Sequence, residues 1–224
     1  MRSAWWWNTK QWAEYQAAYY AGRERPEEYK SSPLADDHDF DWTDENRKLY
    51  QLNVHQTQVI DLTVSMEQLW RGVRKSYQSL INKGFRTYDV EISDDILAYQ
   101  HLHALANGVQ PRPDETYAQQ GNWLASRNGL LVMADIPGVE RYVAAAYWIL
   151  YCDEAYYASG PSIEKNVQHA VIWKSLELLK AMGVRLAELG DIGWRTTKEE
   201  GISKFKRGFG GYAVPFTVVT RRAS

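Results

Sequence analysis

From residue 59 onward the apolar positions switch repeatedly between two periods. The run at 59–62 reads as a strand. Ser65 and Gln68 then stand three apart, the spacing of a capping box, which predicts a helix from Met66. Met66, Leu69, Trp70, Val73, Tyr77, Leu80 and Ile81 recur at three and four residues, so one face of that helix is core, and Gly84 reads as its C-cap. A strand at 86–92 follows, then helices at 94–106 and 114–126 around the loop 108–113. Three β-rich runs, 129–136, 141–151 and 154–159, are separated by Pro137-Gly138 and Cys152-Asp153, the signature of an antiparallel meander. The stretch 164–182 is apolar on more than one face and predicts a deeply packed helix closed by Gly183. A strand at 184–189, a short helix at 198–207 and a strand at 212–219 complete a mixed α/β (α+β) domain.

Residues 1–57 break this pattern and read as an aromatic-rich N-terminal extension to a domain spanning 58–224. The extension carries Trp5, Trp6, Trp7, Trp12, Tyr15, Tyr19 and Tyr20, with a helical stretch at 10–21. Such aromatics call for burial against the domain, between protomers of a homo-oligomer, or against a sugar or base. Asp36, Asp37, Asp39, Asp41, Asp44 and Glu45 follow without a cation and read as a solvated loop.

Composition narrows the class. With 45% hydrophobic and 24% charged residues over 224 positions, the chain can bury a sizeable core. No apolar run approaches the ~20 residues of a membrane span, and residues 1–10 carry aromatics where a signal peptide has an aliphatic core, so a cytoplasmic protein is expected. Cys152 is the sole cysteine, which excludes an internal disulfide and reads as packing. The net charge of −2 argues against broad nucleic-acid affinity but hides an asymmetry. From Gly193 onward seven cations face two acids, giving +5 and leaving −7 for the rest, so anionic ligands should prefer the C-terminal part.

The densest chemistry is Gly201 to Gly211, GISKFKRGFGG. Lys204, Lys206 and Arg207 suit phosphate or carboxylate, Phe205 and Phe209 offer flat faces, and Gly208, Gly210 and Gly211 leave room for a ligand at the backbone. The same residues also read as a basic amphipathic helix with a glycine stop. His101 and His103, two apart on a helix, face different ways and do not share a metal, and no metal site is expected. No Walker loop, dinucleotide fingerprint or nucleophile elbow is present.

With LTVSMEQLWRGVRKSYQSLINKG at 62–84, YYASGPS at 156–162, KAMGVRLAELGD at 180–191 and GISKFKRGFGG, the chain resembles the FemABX-like branch of the GNAT acyltransferase superfamily over residues 58–219. The resemblance implies a mostly antiparallel central sheet flanked by helices. It also implies a single-domain N-acyl- or aminoacyltransferase, in a branch whose two-domain members move an amino acid from aminoacyl-tRNA to a peptidoglycan precursor amine. In such folds the donor lies where two central strands splay, here 156–159 and 184–189. By this likeness Lys206 and Phe205 handle the donor end and its developing charge, while Glu188 and Asp191 supply a base or orient a cation. Ser162, Lys165, Asn166, Lys204 and Arg207 are then donor-binding, and Arg74 and Lys75 hold an acceptor phosphate. The CoA-binding loop pattern of acetyltransferases is replaced by Ser162-Ile-Glu-Lys-Asn-Val167. No bound cofactor is expected. The donor is aminoacyl-tRNA through its charged 3′ end and the acceptor a small-molecule or peptide amine, or, in the alternative the resemblance leaves open, the donor is acyl-CoA or an acyl carrier protein and the acceptor an amino sugar or amino acid. The reading from another class is a non-catalytic module that holds a sugar or a partner protein.

Overall fold

The structure is a computed structural model that describes residues 28–31, 50–193 and 196–221. The expected helix at 10–21, the tryptophan cluster and the acidic loop lie outside the described residues.

One eight-stranded sheet runs through the molecule in the order β1-β8-β2-β7-β6-β5-β4-β3. Its strands are β1 (Glu28–Ser31), β2 (Tyr50–Asp61), β3 (Asp89–Ser93), β4 (Gly129–Ile136), β5 (Val139–Tyr151), β6 (Glu154–Ser159), β7 (Leu186–Asp191) and β8 (Tyr212–Arg221). Every neighbouring pair is antiparallel except β6 and β7. This is the mostly antiparallel sheet expected, and the meander of β4, β5 and β6 matches its predicted place. The first strand is longer than its apolar run. β2 starts at Tyr50 because its pairing with β8 extends from Tyr50↔Arg221 to Val59↔Tyr212, and cross-strand hydrogen bonds do not require an apolar sequence.

Six helices among the described residues cover both faces: α1 (Met66–Gly72), α2 (Lys75–Thr87), α3 (Ile96–Asn107), α4 (Asp114–Ala125), α5 (Val167–Ala181) and α6 (Thr197–Arg207). Residues 130–134 of β4 and 143–150 of β5 are buried at every position, because α1, α2 and α5 cover one face and α3 and α4 the other. Nine residues of α5 are buried, in keeping with its apolar breadth.

Two predictions about the first helix need correction. The capping box forms, with Ser65 Oγ accepting from the Gln68 N–H at 3.3 Å and Gln68 Oε1 accepting from the Ser65 N–H at 2.9 Å. The helix then breaks at Val73 and Arg74, where both residues leave the helical region. Here the Gly208–Gly211 turn docks. The Arg74 N–H donates to the Gly208 carbonyl at 2.9 Å, and Gln78 Nε2 donates to the Trp70 and Val73 carbonyls that the break releases. Gly84 is not a C-cap but an interior residue of α2. A Cβ there would stand 2.5 Å from the Cβ of Ala170, so glycine permits the close crossing of α2 and α5. α2 continues to Thr87 and takes the first residues of the expected strand at 86–92.

Candidate functional site

The parallel pairing of β6 with β7 lasts for three partners, Glu154↔Leu186, Ala155↔Ala187 and Tyr156↔Glu188. Beyond that point β6 follows β5 to Ser159↔Tyr147, and β7 follows β2 to Asp191↔Thr57. The sheet therefore forks at Tyr156 and Glu188, which share one face. Gly190 lies just past the fork with φ +80, beside the register shift in β2 at Gln58/Val59. A methyl at Gly190 would sit 3.3 Å from the Tyr156 hydroxyl and 3.4 Å from Lys206 Nζ, so both polar tips converge on the bare backbone there.

α6 delivers Lys206 to this point. Thr196 caps the helix by accepting the Glu199 N–H at 3.1 Å, Glu199 and Glu200 occupy its first turn, and Lys204, Lys206 and Arg207 its last, each sign matching the helix dipole. Lys206 is half-buried and its Nζ donates to the Asp191 carbonyl at 2.7 Å. Burial pushes its ammonium down to about 8, against the Asp191 and Glu188 carboxylates, which pull it back up. Glu188 is 4% exposed and accepts the Thr57 hydroxyl at 2.8 Å. The Asp191 carboxylate meets His55 Nδ1 at 2.9 Å, and the His55 ring rests on Phe216. A pocket of ≈ 250 Å³ opens beside Lys206, walled by His55, Asp191, Gly193, Glu199 and Ile202. This arrangement can place a positive charge against a developing oxyanion and hold carboxylates near a proton donor.

Of the residues singled out in the sequence, the fold brings Lys206, Glu188 and Asp191 together. The cap of α6 is Thr196. Phe205 points elsewhere, into an aromatic cluster with Tyr77, His169 and Phe209 at centroid distances of 6.1, 5.2 and 5.2 Å. Burial there lowers the His169 pKa, with Asn166 accepting from its Nδ1 pulling the other way. Lys204 and Arg207 are exposed on α6. Ser162 donates to the Glu164 carbonyl at 2.7 Å in the β6–α5 connection, where Lys165 is exposed and Asn166 takes a left-handed conformation with φ +68. Arg74 lies over the Tyr77 ring, 5.1 Å from its centroid, and Lys75 is exposed at the start of α2.

The glycines of the basic motif are filled from within the protein rather than left open for a ligand. A Cβ at Gly208 would meet the Tyr77 ring at 2.1 Å, at Gly210 the Gly72 carbonyl at 2.9 Å and at Gly211 the Val59 carbonyl at 2.0 Å. Gln58 Nε2 further ties this turn to β2 by donating to the Gly210 carbonyl at 2.5 Å. Cys152 also departs from the packing expected, since it is exposed in the β5–β6 turn with φ +53. His101 is exposed. His103 is buried against the Tyr117 hydroxyl at 3.0 Å, and desolvation drives its pKa down to about 3, so the pair diverges as the spacing implied.

The structure adds Thr57, His55 and Tyr156 to this cluster, none of them singled out as a site residue in the sequence. Tyr156 stood inside the YYASGPS segment, but Thr57 and His55 precede the apolar run and carried no local signal. Arg112 of the α3–α4 loop also reaches the β6 arm of the fork, donating to the Ala158 carbonyl at 3.1 Å.

Neither a protein-family model nor a curated protein matches this sequence. Solved structures match its fold. FemX superposes with a TM-score of 0.61 at 11% identity, over 72% of this chain and 61% of that one. L-PGS from Bacillus licheniformis gives 0.56 at 12% identity, over 80% and 63%. The C-terminal domain of a putative lysylphosphatidylglycerol synthetase from Agrobacterium fabrum gives 0.53 at 11%, over 79% and 63%. The chain thus spans under two thirds of the length of these structures. The fold that the FemABX-like resemblance implied is the fold observed. Among the described residues no helix is long and apolar enough to cross a membrane.

Proposed function

We propose that the protein is an acyltransferase of GNAT type that moves an aminoacyl group from aminoacyl-tRNA to the amine of an envelope precursor, peptide or natural product. The observation that carries this reading is the half-buried ammonium of Lys206 at the fork of β6 and β7, over bare backbone at Gly190 and beside the Tyr156 hydroxyl. Attack of an amine on an ester carbonyl forms a C–N bond, builds negative charge on the carbonyl oxygen and expels an alkoxide that needs a proton. A lysine whose pKa is brought down to about 8 suits both needs: its cation stabilises the oxyanion, and it surrenders a proton more readily than an exposed lysine. Asp191, in contact with His55, receives the proton lost by the amine, and Glu188 balances the buried cation. Phe205 acts by seating α6 rather than by touching the donor. Ser162, Lys165 and Asn166 lie on the connection from β6 into α5, where an anionic donor would approach, and Arg74 and Lys75 mark the acceptor side. One of the fold neighbours is a domain of a putative lysylphosphatidylglycerol synthetase, whose named product is aminoacylated, which favours an aminoacyl donor.

The test is a donor screen on purified protein, with charged tRNA and a panel of acyl-CoAs supplied separately alongside amine acceptors and products followed by mass spectrometry. Accelerated loss of the aminoacyl group with formation of an amide is expected. Consumption of acyl-CoA alone would replace the donor. A ligand bound tightly with no turnover of either donor would replace the enzyme reading with that of a binding module.

A further inference from the structure

The loop between α3 and α4 is pinned at both ends. Gly108 closes α3 in the left-handed region with φ +72, and Pro111 and Pro113 restrict the backbone on either side of Arg112. Gln100 Nε2 of α3 donates to Gln110 Oε1 at 3.1 Å and to Asp114 Oδ1 at 2.8 Å. Gln110 Nε2 donates to the same Asp114 oxygen at 2.7 Å, so the residues that bracket Arg112 are tied to both helices. This frame aims the Arg112 side chain at an irregularity in β6. Trp148 of β5 pairs with Tyr157 and Tyr147 with Ser159, which leaves Ala158 as an extra residue outside the ladder. Arg112 Nη2 donates to the carbonyl of that bulged residue at 3.1 Å. The next residue is held by the same unit, since the Ser159 hydroxyl shares a hydrogen bond with the hydroxyl of Tyr99, a fully buried residue of α3. Both bonds fall just past the last β6–β7 pair, Tyr156↔Glu188. Tyr156 stands two residues before the bulge, with its hydroxyl converging with Lys206 Nζ on Gly190.

We infer that Arg112 is a positioning residue for the fork: by holding the bulge at Ala158 it sets the line of the β6 arm and keeps the Tyr156 hydroxyl beside Lys206. Without this donor the Ala158 carbonyl turns to water, the bulge relaxes, and Tyr156 withdraws from Lys206, which gains water in its place. The use of the fork in acyl transfer rests on the reading above, but the placement of Tyr156 by Arg112 does not, and its test needs no donor. Tyrosines and lysines of the full chain are labelled with ¹³C, and the Tyr156 and Lys206 signals are assigned with Tyr156→Phe and Lys206→Met. In folded Arg112→Ala the Tyr156 signal should move toward that of a solvated tyrosine, and the Lys206 midpoint should rise from about 8 by about one pH unit. Tyr212, at the other end of the β6–β7 pair, should not move. Arg112→Lys, which keeps a donor on the loop, should retain most of the parent positions. Gln110→Ala, an exposed change that loosens the loop and spares the core, should shift the same two signals by less. Tyr156 and Lys206 unmoved in both Arg112→Ala and Gln110→Ala, even with lowered thermal stability, would reduce Arg112 to a staple and overturn the inference. Displacement in Arg112→Lys as large as in Arg112→Ala would overturn it too. With the donor from the screen, Arg112→Ala should lower kcat about tenfold or more and leave KM within about twofold. Displaced signals with full turnover would uphold the placement and remove the fork from the reaction.

Discussion

The two ends of the β6–β7 pair bear polar pockets built from similar residues, yet they differ in what surrounds the charges. At the start of the strands a pocket of ≈ 420 Å³ gathers Asp61, Asp153, Glu154, Arg185 and Tyr212. Its Arg185–Asp153 pair spans 3.3 Å with side chains 67% and 50% exposed, and the Asp61 carboxyl is held low mainly by the Thr63 hydroxyl beside it in sequence. Water screens these charges. At the forked end the pocket is smaller, but Lys206 of α6 is drawn from water against Asp191 and Glu188 of β7. Desolvation rather than pocket size separates a reactive cation from a solvated one.

The largest contrast should appear in catalysis. With the donor that the screen identifies, Lys206→Ala should lower kcat/KM about 10²–10³-fold with the fold intact by circular dichroism, the scale of losing one oxyanion donor. Unaltered activity would move the chemistry away from the fork. The seat of α6 should break next. Gly211→Ala combines φ +77 with a Cβ 2.0 Å from the Val59 carbonyl, whereas Gly183→Ala combines φ +85 with open space. Urea denaturation should show a loss of about 3 kcal/mol for the first and about 1 kcal/mol for the second. A pH series sharpens the comparison further. If the ammonium is the working form, kcat/KM falls about tenfold per unit above a midpoint near the Lys206 value of about 8. The folded state releases this proton before the unfolded chain, which holds it to about 10.5, so between these values unfolding free energy should rise with pH. Lys206→Met should abolish that rise. The smallest effect belongs to the solvated end, where Arg185→Ala should change stability by about 0–1 kcal/mol and leave kcat/KM within about twofold.

The periodicities of 3.6 and 2 located the helices and the meander, because burial of α5 and of β4 to β6 is written residue by residue in their apolar positions. The capping box at Ser65 and the cations of α6 were legible for the same local reason. Gly84 and the Val73–Arg74 break were not, since one is explained by Ala170 on α5 and the other by the Gly208 carbonyl.

At the candidate site, sequence alone determined that Lys206 sits in the last turn of a basic helix and that Glu188 sits on the strand before it, with Asp191 close behind; the structure extends that strand to Asp191. It ranked Lys206 ahead of Phe205 but assigned both adjacent residues of the motif to the donor end. The tertiary structure sent Phe205 to the aromatic cluster under α2 and α5 and Lys206 to the fork, because successive helical side chains point about 100° apart. Only the fold could bring Thr57 to Glu188, His55 to Asp191 and Tyr156 to Gly190, across more than a hundred residues for the first two pairs. Local sequence determines which side chains share a face of a helix or strand. Which faces meet, and which charges are thereby desolvated, is decided by the pairing of β2 with β7 and the parting of β7 from β6.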